Sequence, residues 1–195
     1  MSSRVADRCF ASFGNFRCLK LPPLSKLRIV LFPDPILKKK ATEITQFDAS
    51  LRALANRMLE LMREDKGVGL AAPQVGLSLR MFVYNATGEP ADDVVCINPK
   101  LVELSGAEER DEGCLSIPGA TVTMRRAVQA VLQAVDLEGK LFQLAQSDLP
   151  ARIWQHEIDH LDGKLITDNM SAADEIANRR VLKQLKDKFH GDRKR

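Results

Sequence analysis

Residues 122–163 read VTMRRAVQAVLQAVDLEGKLFQLAQSDLPARIWQHEIDHLDG, and the period of the apolar positions changes partway along this stretch. From Val122 to Val135, small or apolar positions alternate with others. Val128, Ala130, Leu132 and Ala134 fall on one side, and Gln129, Val131, Gln133 and Val135 on the other. This predicts one long strand over 122–135 with at least one buried face. Leu137-Glu138-Gly139-Lys140 is a turn and 141–145 a return strand, so the segment is a hairpin. From Asp148 the spacing becomes helical and runs to Asp162, where Gly163 closes the helix.

Working outward, Asp174 to Phe189 reads as a final amphipathic helix with Ile176, Leu182, Leu185 and Phe189 on its apolar side. Upstream, 27–31 is a short apolar run stopped by Pro33-Asp34-Pro35, which reads as a strand and turn. Leu51, Leu54, Met58, Leu61 and Met62 have helical spacing. Asp48 or Ser50 can cap that helix and Gly67 ends it. Residues 81–84, 94–97 and 101–104 read as short strands, the last two separated by Asn98-Pro99. Strands and helices do not alternate regularly, so the pattern is α+β rather than a doubly wound sheet.

The chain has 195 residues, enough for one domain with an ordinary core. Four cysteines at irregular spacing do not form a disulfide framework, which favours a reducing compartment. No apolar run is long enough to cross a membrane as a helix. Residues 1–26 differ in composition. Arg4, Arg8, Arg17, Lys20 and Lys26 stand against Asp7 alone, without the apolar core of a secretory signal. An organelle transit segment, a disordered extension and a start codon placed too far upstream all fit, and 27–195 is then the folded domain. Between Arg179 and Arg195 the basic residues are opposed only by Asp187 and Asp192. A solvated helix face and contact with a polyanion such as RNA both account for that.

The strongest chemical signal is His156-Glu157-Ile158-Asp159-His160. Histidines four apart share one face of a helix and can reach one metal ion, and Glu157 stands beside them to move protons. The chain has three histidines, and two of them stand in this pattern between apolar flanks. Two ligands make a weak site. The metzincin pattern fails because Ile166 occupies the third-ligand position, and Glu175 begins a polar helix. Cys114, in Glu112-Gly113-Cys114-Leu115-Ser116, is the remaining candidate. A thiolate suits zinc or ferrous iron, although a lone cysteine is also a common small core residue. Gly67-Val68-Gly69-Leu70-Ala71-Ala72-Pro73-Gln74 lacks the residues of a phosphate loop. Its small side chains indicate close backbone approach. Gln74 is either a structural bridge or a donor to a substrate oxygen. Arg125 and Arg126 have three readings: binding peptide backbone, pairing with Glu112, or lying exposed.

Taken in register, the stretches 67–74, 112–116 and 155–161 resemble peptide deformylase, and the resemblance extends loosely from Leu27 to Phe189. It implies antiparallel sheets packed around a central metal-binding helix, with a C-terminal amphipathic helix. It implies removal of the N-formyl group from the initiator methionine of new polypeptides, releasing formate. The implied cofactor is one divalent metal, Fe2+ first, with Zn2+, Ni2+ or Co2+ able to replace it. The ligands carry over as Cys114, His156 and His160, and the general acid/base as Glu157. Gln74 and the backbone N–H of Leu115 carry over as oxyanion donors, and Gly69 as a backbone contact to substrate. The implied partners are formyl-methionyl nascent peptides and, through the basic last helix, the ribosome. No membrane is involved. The implied location is the bacterial cytoplasm, or an organelle if 1–26 is a transit segment. One departure is that Gly119-Ala120-Thr121 stands where some bacterial relatives carry a peptide-binding arginine.

Overall fold

A computed structural model describes residues 21–192, so the N-terminal segment 1–20 and the basic residues Arg193, Lys194 and Arg195 lie outside it. Helix α1 spans Ala49–Glu64. Asp48 starts it by accepting a hydrogen bond from Leu51 N at 3.0 Å. Strands β1 (Gly69–Ala71), β2 (Met81–Tyr84) and β3 (Val94–Ser105) follow, then β4 (Glu108–Glu112), β5 (Val122–Arg126), β6 (Gln129–Val135) and β7 (Leu141–Ser147). Helices α2 (Asp148–Leu161) and α3 (Ala172–Asp192) complete the chain.

Five strands form one antiparallel sheet in the order β1-β2-β3-β6-β7, and β4 pairs with β5 in a separate two-stranded sheet. β2 shows how the large sheet is buried. Met81 and Val83 pack with α1, while Phe82 and Tyr84 pack with α2, so alternate side chains serve two cores. The α2 core centres on Trp154, which is wholly buried. Truncating such a residue to alanine typically costs about 3–5 kcal/mol. A smaller third core joins the two-stranded sheet to Leu37, Ile117, Leu165 and the inner side of α3. The architecture is the expected α+β arrangement, with α2 in the interior and α3 at the C-terminus.

Several local expectations change. Residues 122–135 are two strands in two sheets, broken at Ala127 and Val128. Ala127 N–H and C=O both bond to the Gln155 side chain on α2, which takes the backbone out of the ladder. Residues 27–31 form no strand; they are laid across the molecule instead. Val30 N–H donates to Gln74 O at 2.7 Å and Phe32 N–H to Ser116 O at 2.9 Å. Asn98-Pro99 does not end a strand. β3 runs through it with a register shift, Asn98 taking φ +49°. On α3, Ile176 is 67% exposed and Asn178 is the buried residue, bonded to both N–H and C=O of Thr121.

The end of α2 fixes how close the chain can come. A Cβ on Gly163 would lie 2.5 Å from Lys38 O, and its φ is +73°, so glycine is required there on two counts.

Candidate metal centre and active site

Helix α2 carries His156 and His160 one turn apart, and the loop after β4 brings Cys114 to them. Cys114 Sγ lies 3.2 Å from His160 Nε2, which is itself 3.2 Å from His156 Nε2. All three donor atoms lie within 4.8 Å of one another. A tetrahedral ion bonded at about 2.3 Å to sulfur and about 2.0–2.1 Å to nitrogen needs donors roughly 3.3–3.6 Å apart. One thiolate and two imidazoles at these spacings fit a small divalent cation.

His156 keeps Nε2 on this cluster because its Nδ1 is held by Glu112 Oε2 at 3.1 Å. A carboxylate behind a ligating histidine fixes its tautomer and ring orientation. Glu112 is itself gripped by Arg126, through Nε and Nη2 at 3.0 Å each, and by Arg152 Nη1 at 2.7 Å. Arg126 also pairs with Asp159 on α2. Arg152 donates further to the carbonyls of Glu108 and Met124, tying α2 to the two-stranded sheet. Of the three readings of the arginine pair, Arg126 pairs with Glu112 and is 8% exposed, and Arg125 is exposed. Burial alone would raise the Glu112 carboxyl, but the bonds from His156 and Arg126 outweigh it and hold it at about 2.

Burial also opposes charge on both histidines. His160 is driven down by that burial and by His156 beside it, whereas Cys114 and Glu112 overcome it and raise His156. Glu157 is 3% exposed and its carboxyl is pushed up to about 7 by burial. Its Oε2 makes no hydrogen bond to the described protein atoms. A carboxyl buried beside a metal-ligating set and poised near neutrality can accept or release a proton.

Gly69 faces Glu157. A Cβ there would come within 2.9 Å of the Glu157 carboxyl carbon and of Ile153 Cγ2. Gly67 is closed in the same way by Leu115, whose Cδ1 would lie 2.7 Å from an added Cβ. The small residues of 67–72 therefore let the backbone pass against the site. Gln74 bridges protein groups, the first of the two readings of a buried amide. Its Oε1 accepts from Ala71 N–H at 2.8 Å, while Nε2 points to Cys114 Sγ at 3.6 Å and Ser116 Oγ at 3.4 Å. A cavity of about 320 Å³ is lined by Gly69, Gln74, Cys114, Leu115, His156 and Glu157. His160, the remaining predicted site residue, sits just behind them, 1% exposed. The Arg126–Glu112 pair was one of the sequence readings, but the hold of Glu112 on His156 and the part of Arg152 were missed. Among apolar neighbours, Ile153 and Trp154 are core, while Val68 and Leu149 are each 43% exposed.

The chain is similar to known proteins in sequence and fold. The profile of the polypeptide deformylase family matches residues 26–175. A peptide deformylase of Dictyoglomus thermophilum is 48% identical over 135 residues, covering 69% of this chain and 86% of that one. A chloroplastic/mitochondrial peptide deformylase 1B of Arabidopsis thaliana is 41% identical, covering 84% of this chain and 61% of its own length. The crystal structure of a plant peptide deformylase superposes with a TM-score of 0.84 at 39% identity, over 89% of this chain and 96% of that one. With the three motifs converging on one cavity and the match running through most of the folded chain, the protein belongs to the polypeptide deformylase family.

Proposed function

We propose that this chain removes the N-formyl group from the initiator methionine of newly made polypeptides, releasing formate and a free amine. The observation that carries this is Glu157, buried against Gly69 beside the cluster of Cys114, His156 and His160. Those three residues would hold one divalent cation. Ferrous iron is the first assignment, and zinc, nickel or cobalt suit the same donors. When bound, the cation supplies a Lewis acid that polarises an amide carbonyl and lowers the pKa of water toward about 7.

The protein's own groups supply the rest. Glu157 takes the proton of the attacking water and delivers it to the leaving nitrogen. Gln74 Nε2 and the N–H of Leu115 are the proposed donors to the tetrahedral oxyanion. Losing one such donor typically costs about 2.7–4 kcal/mol of transition-state stabilisation. Ala71 N–H fixes the Gln74 amide, so that donor is oriented before substrate arrives. Gly69 is the proposed backbone contact to the peptide.

Residues 27–195 are read as the catalytic domain and 1–26 as an extension. The proposed location is the cytoplasm of a bacterium, with an organelle as the alternative if the extension directs import. No helix of the described residues is long and apolar enough to cross a membrane. On α3, Arg179, Arg180, Lys183, Lys186 and Lys188 are exposed, which supports docking on ribosomal RNA or protein. The function is tested by formate release from formyl-Met-Ala-Ser under anaerobic conditions. Formate is expected once ferrous iron is loaded, and its absence with both iron and nickel would sink the proposal.

A further inference from the structure

β1 is an edge strand, hydrogen-bonded to β2 alone. Val68 spends its carbonyl on Asn85 N–H at 2.9 Å, on the β2 side. Neighbouring residues of an extended strand turn their backbone groups to opposite sides, so Gly69 turns its own to the open edge. The next outward position is closed, because Ala71 N–H is taken by Gln74 Oε1 and both Ala71 and Ala72 are wholly buried. A peptide whose formyl end reaches Glu157 therefore has one way out along this edge, past Val68, Gly67 and Lys66.

Lys66, Gly67 and Val68 line the catalytic cavity at that end and also border a second one of about 310 Å³, whose other walls are α1 and the residues after β2. The second cavity is lined by Arg63 and Lys66 and by no carboxylate; Asp65, next in sequence, lines neither. The charge of Arg63 is offset by Asp93. Lys66 makes no ion pair among the described residues, and its backbone is pinned at the end of α1 by φ +55° and a bond from its N–H to Arg63 O at 3.0 Å. An extended peptide advances about 3.3 Å per residue. With its first residue at Gly69, an antiparallel peptide sets its third residue opposite Gly67, beside Lys66.

We infer that Lys66 is a specificity-determining residue, favouring nascent peptides with an acidic side chain at the third position. This rests on the deformylase reading. The test compares formyl-Met-Ala-Glu-Ser amide with the peptides carrying Gln or Lys at the third position, the amide removing a competing carboxylate. The iron-loaded full chain is expected to prefer Glu over Lys by about 5-fold in kcat/KM at low salt, since each exposed contact is worth only a few-fold. The difference lies in KM and shrinks as added salt screens it. Lys66→Gln should abolish the preference and Lys66→Glu reverse it. A melting temperature and an iron content equal to those of the wild type report that the variants fold. Formate from all three peptides with a ratio unmoved by Lys66→Glu, or a preference carried in kcat, overturns this inference and leaves the deformylase reading standing. No formate from any peptide overturns both.

Discussion

Gly69 and Glu157 share a space that leaves no room for a methyl group, since an added Cβ would press on the carboxyl carbon at 2.9 Å. Gly69→Ala should therefore push the proton carrier aside. A misplacement of about 1 Å can cost about 100-fold in rate, with about 1–3 kcal/mol of strain. Formate kinetics and thermal unfolding measure the two, and a variant unchanged in both would refute the contact. Glu112 gives a second prediction at this scale. Its carboxyl sits at about 2 in the folded chain, against about 4.3 when unfolded. A carboxyl depressed by folding stabilises fully above its unfolded pKa and loses that contribution as pH falls toward its folded one. The stability gap between the metal-free chain and its Glu112→Gln variant should thus be full above about pH 4.3 and close toward pH 2. A gap unchanged across that window would place the charge elsewhere. Residue types made His156, His160 and Glu157 candidates in the sequence, because few other side chains bind metals or move protons at neutral pH, whereas Cys114 stood out only through the family resemblance. Glu112 was not readable in the same way. A carboxylate behind a histidine is defined by a partner 44 positions away, and no spacing records it.

At the scale of elements, Arg126 and Arg152 hold the two-stranded sheet against α2 through one buried carboxylate. Removing one partner of such a set leaves an uncompensated charge, a loss of about 3–5 kcal/mol. Arg126→Ala should lower the unfolding free energy read from denaturant titration by that measure, and a change under about 1 kcal/mol would show that Arg152 alone suffices. Asn178 joins α3 to the loop before β5 through Thr121. Asn178→Ala should cost about 1–3 kcal/mol, seen as faster amide exchange in α3, with metal content unchanged. Equal exchange in the variant and the parent would show that apolar packing alone seats the helix. These contacts also explain where the periodicity misled. Alternation continues through Arg126 and Val128, but Arg126 turns inward to Glu112 and Gln155 captures the backbone of Ala127, so one predicted strand becomes two. β1 has only the small and apolar residues Gly69, Leu70 and Ala71, too short a run to show a period. Ile176 stands six residues before Leu182, about 120° away around the helix, so it lies off the face that α3 packs inward.

Over the whole molecule, the fold brings three distant segments to one cavity: the turn after β1, the loop after β4 and the interior helix α2. Their order and residue types were legible as a family resemblance, and the α+β class followed from strands and helices that do not alternate regularly. The distances between them were not legible, because they depend on packing across the sheet and on the segment 27–34 that ties Gln74 to Ser116. A cation held between Cys114 and α2 in the proposed site would stabilise the fold by about 4.1 kcal/mol when free metal exceeds Kd by about 1,000-fold, provided that it binds the folded chain alone. Chelation should lower the melting temperature of the wild type and not of Cys114→Ser, and equal shifts would remove Cys114 from the ligand set. The most direct test of the account is formate release by wild type and Glu157→Ala, each assayed at one iron per chain. The account predicts one formate per formyl-methionyl peptide from the wild type and none above background from the variant. Turnover by the variant at the wild-type rate would contradict it.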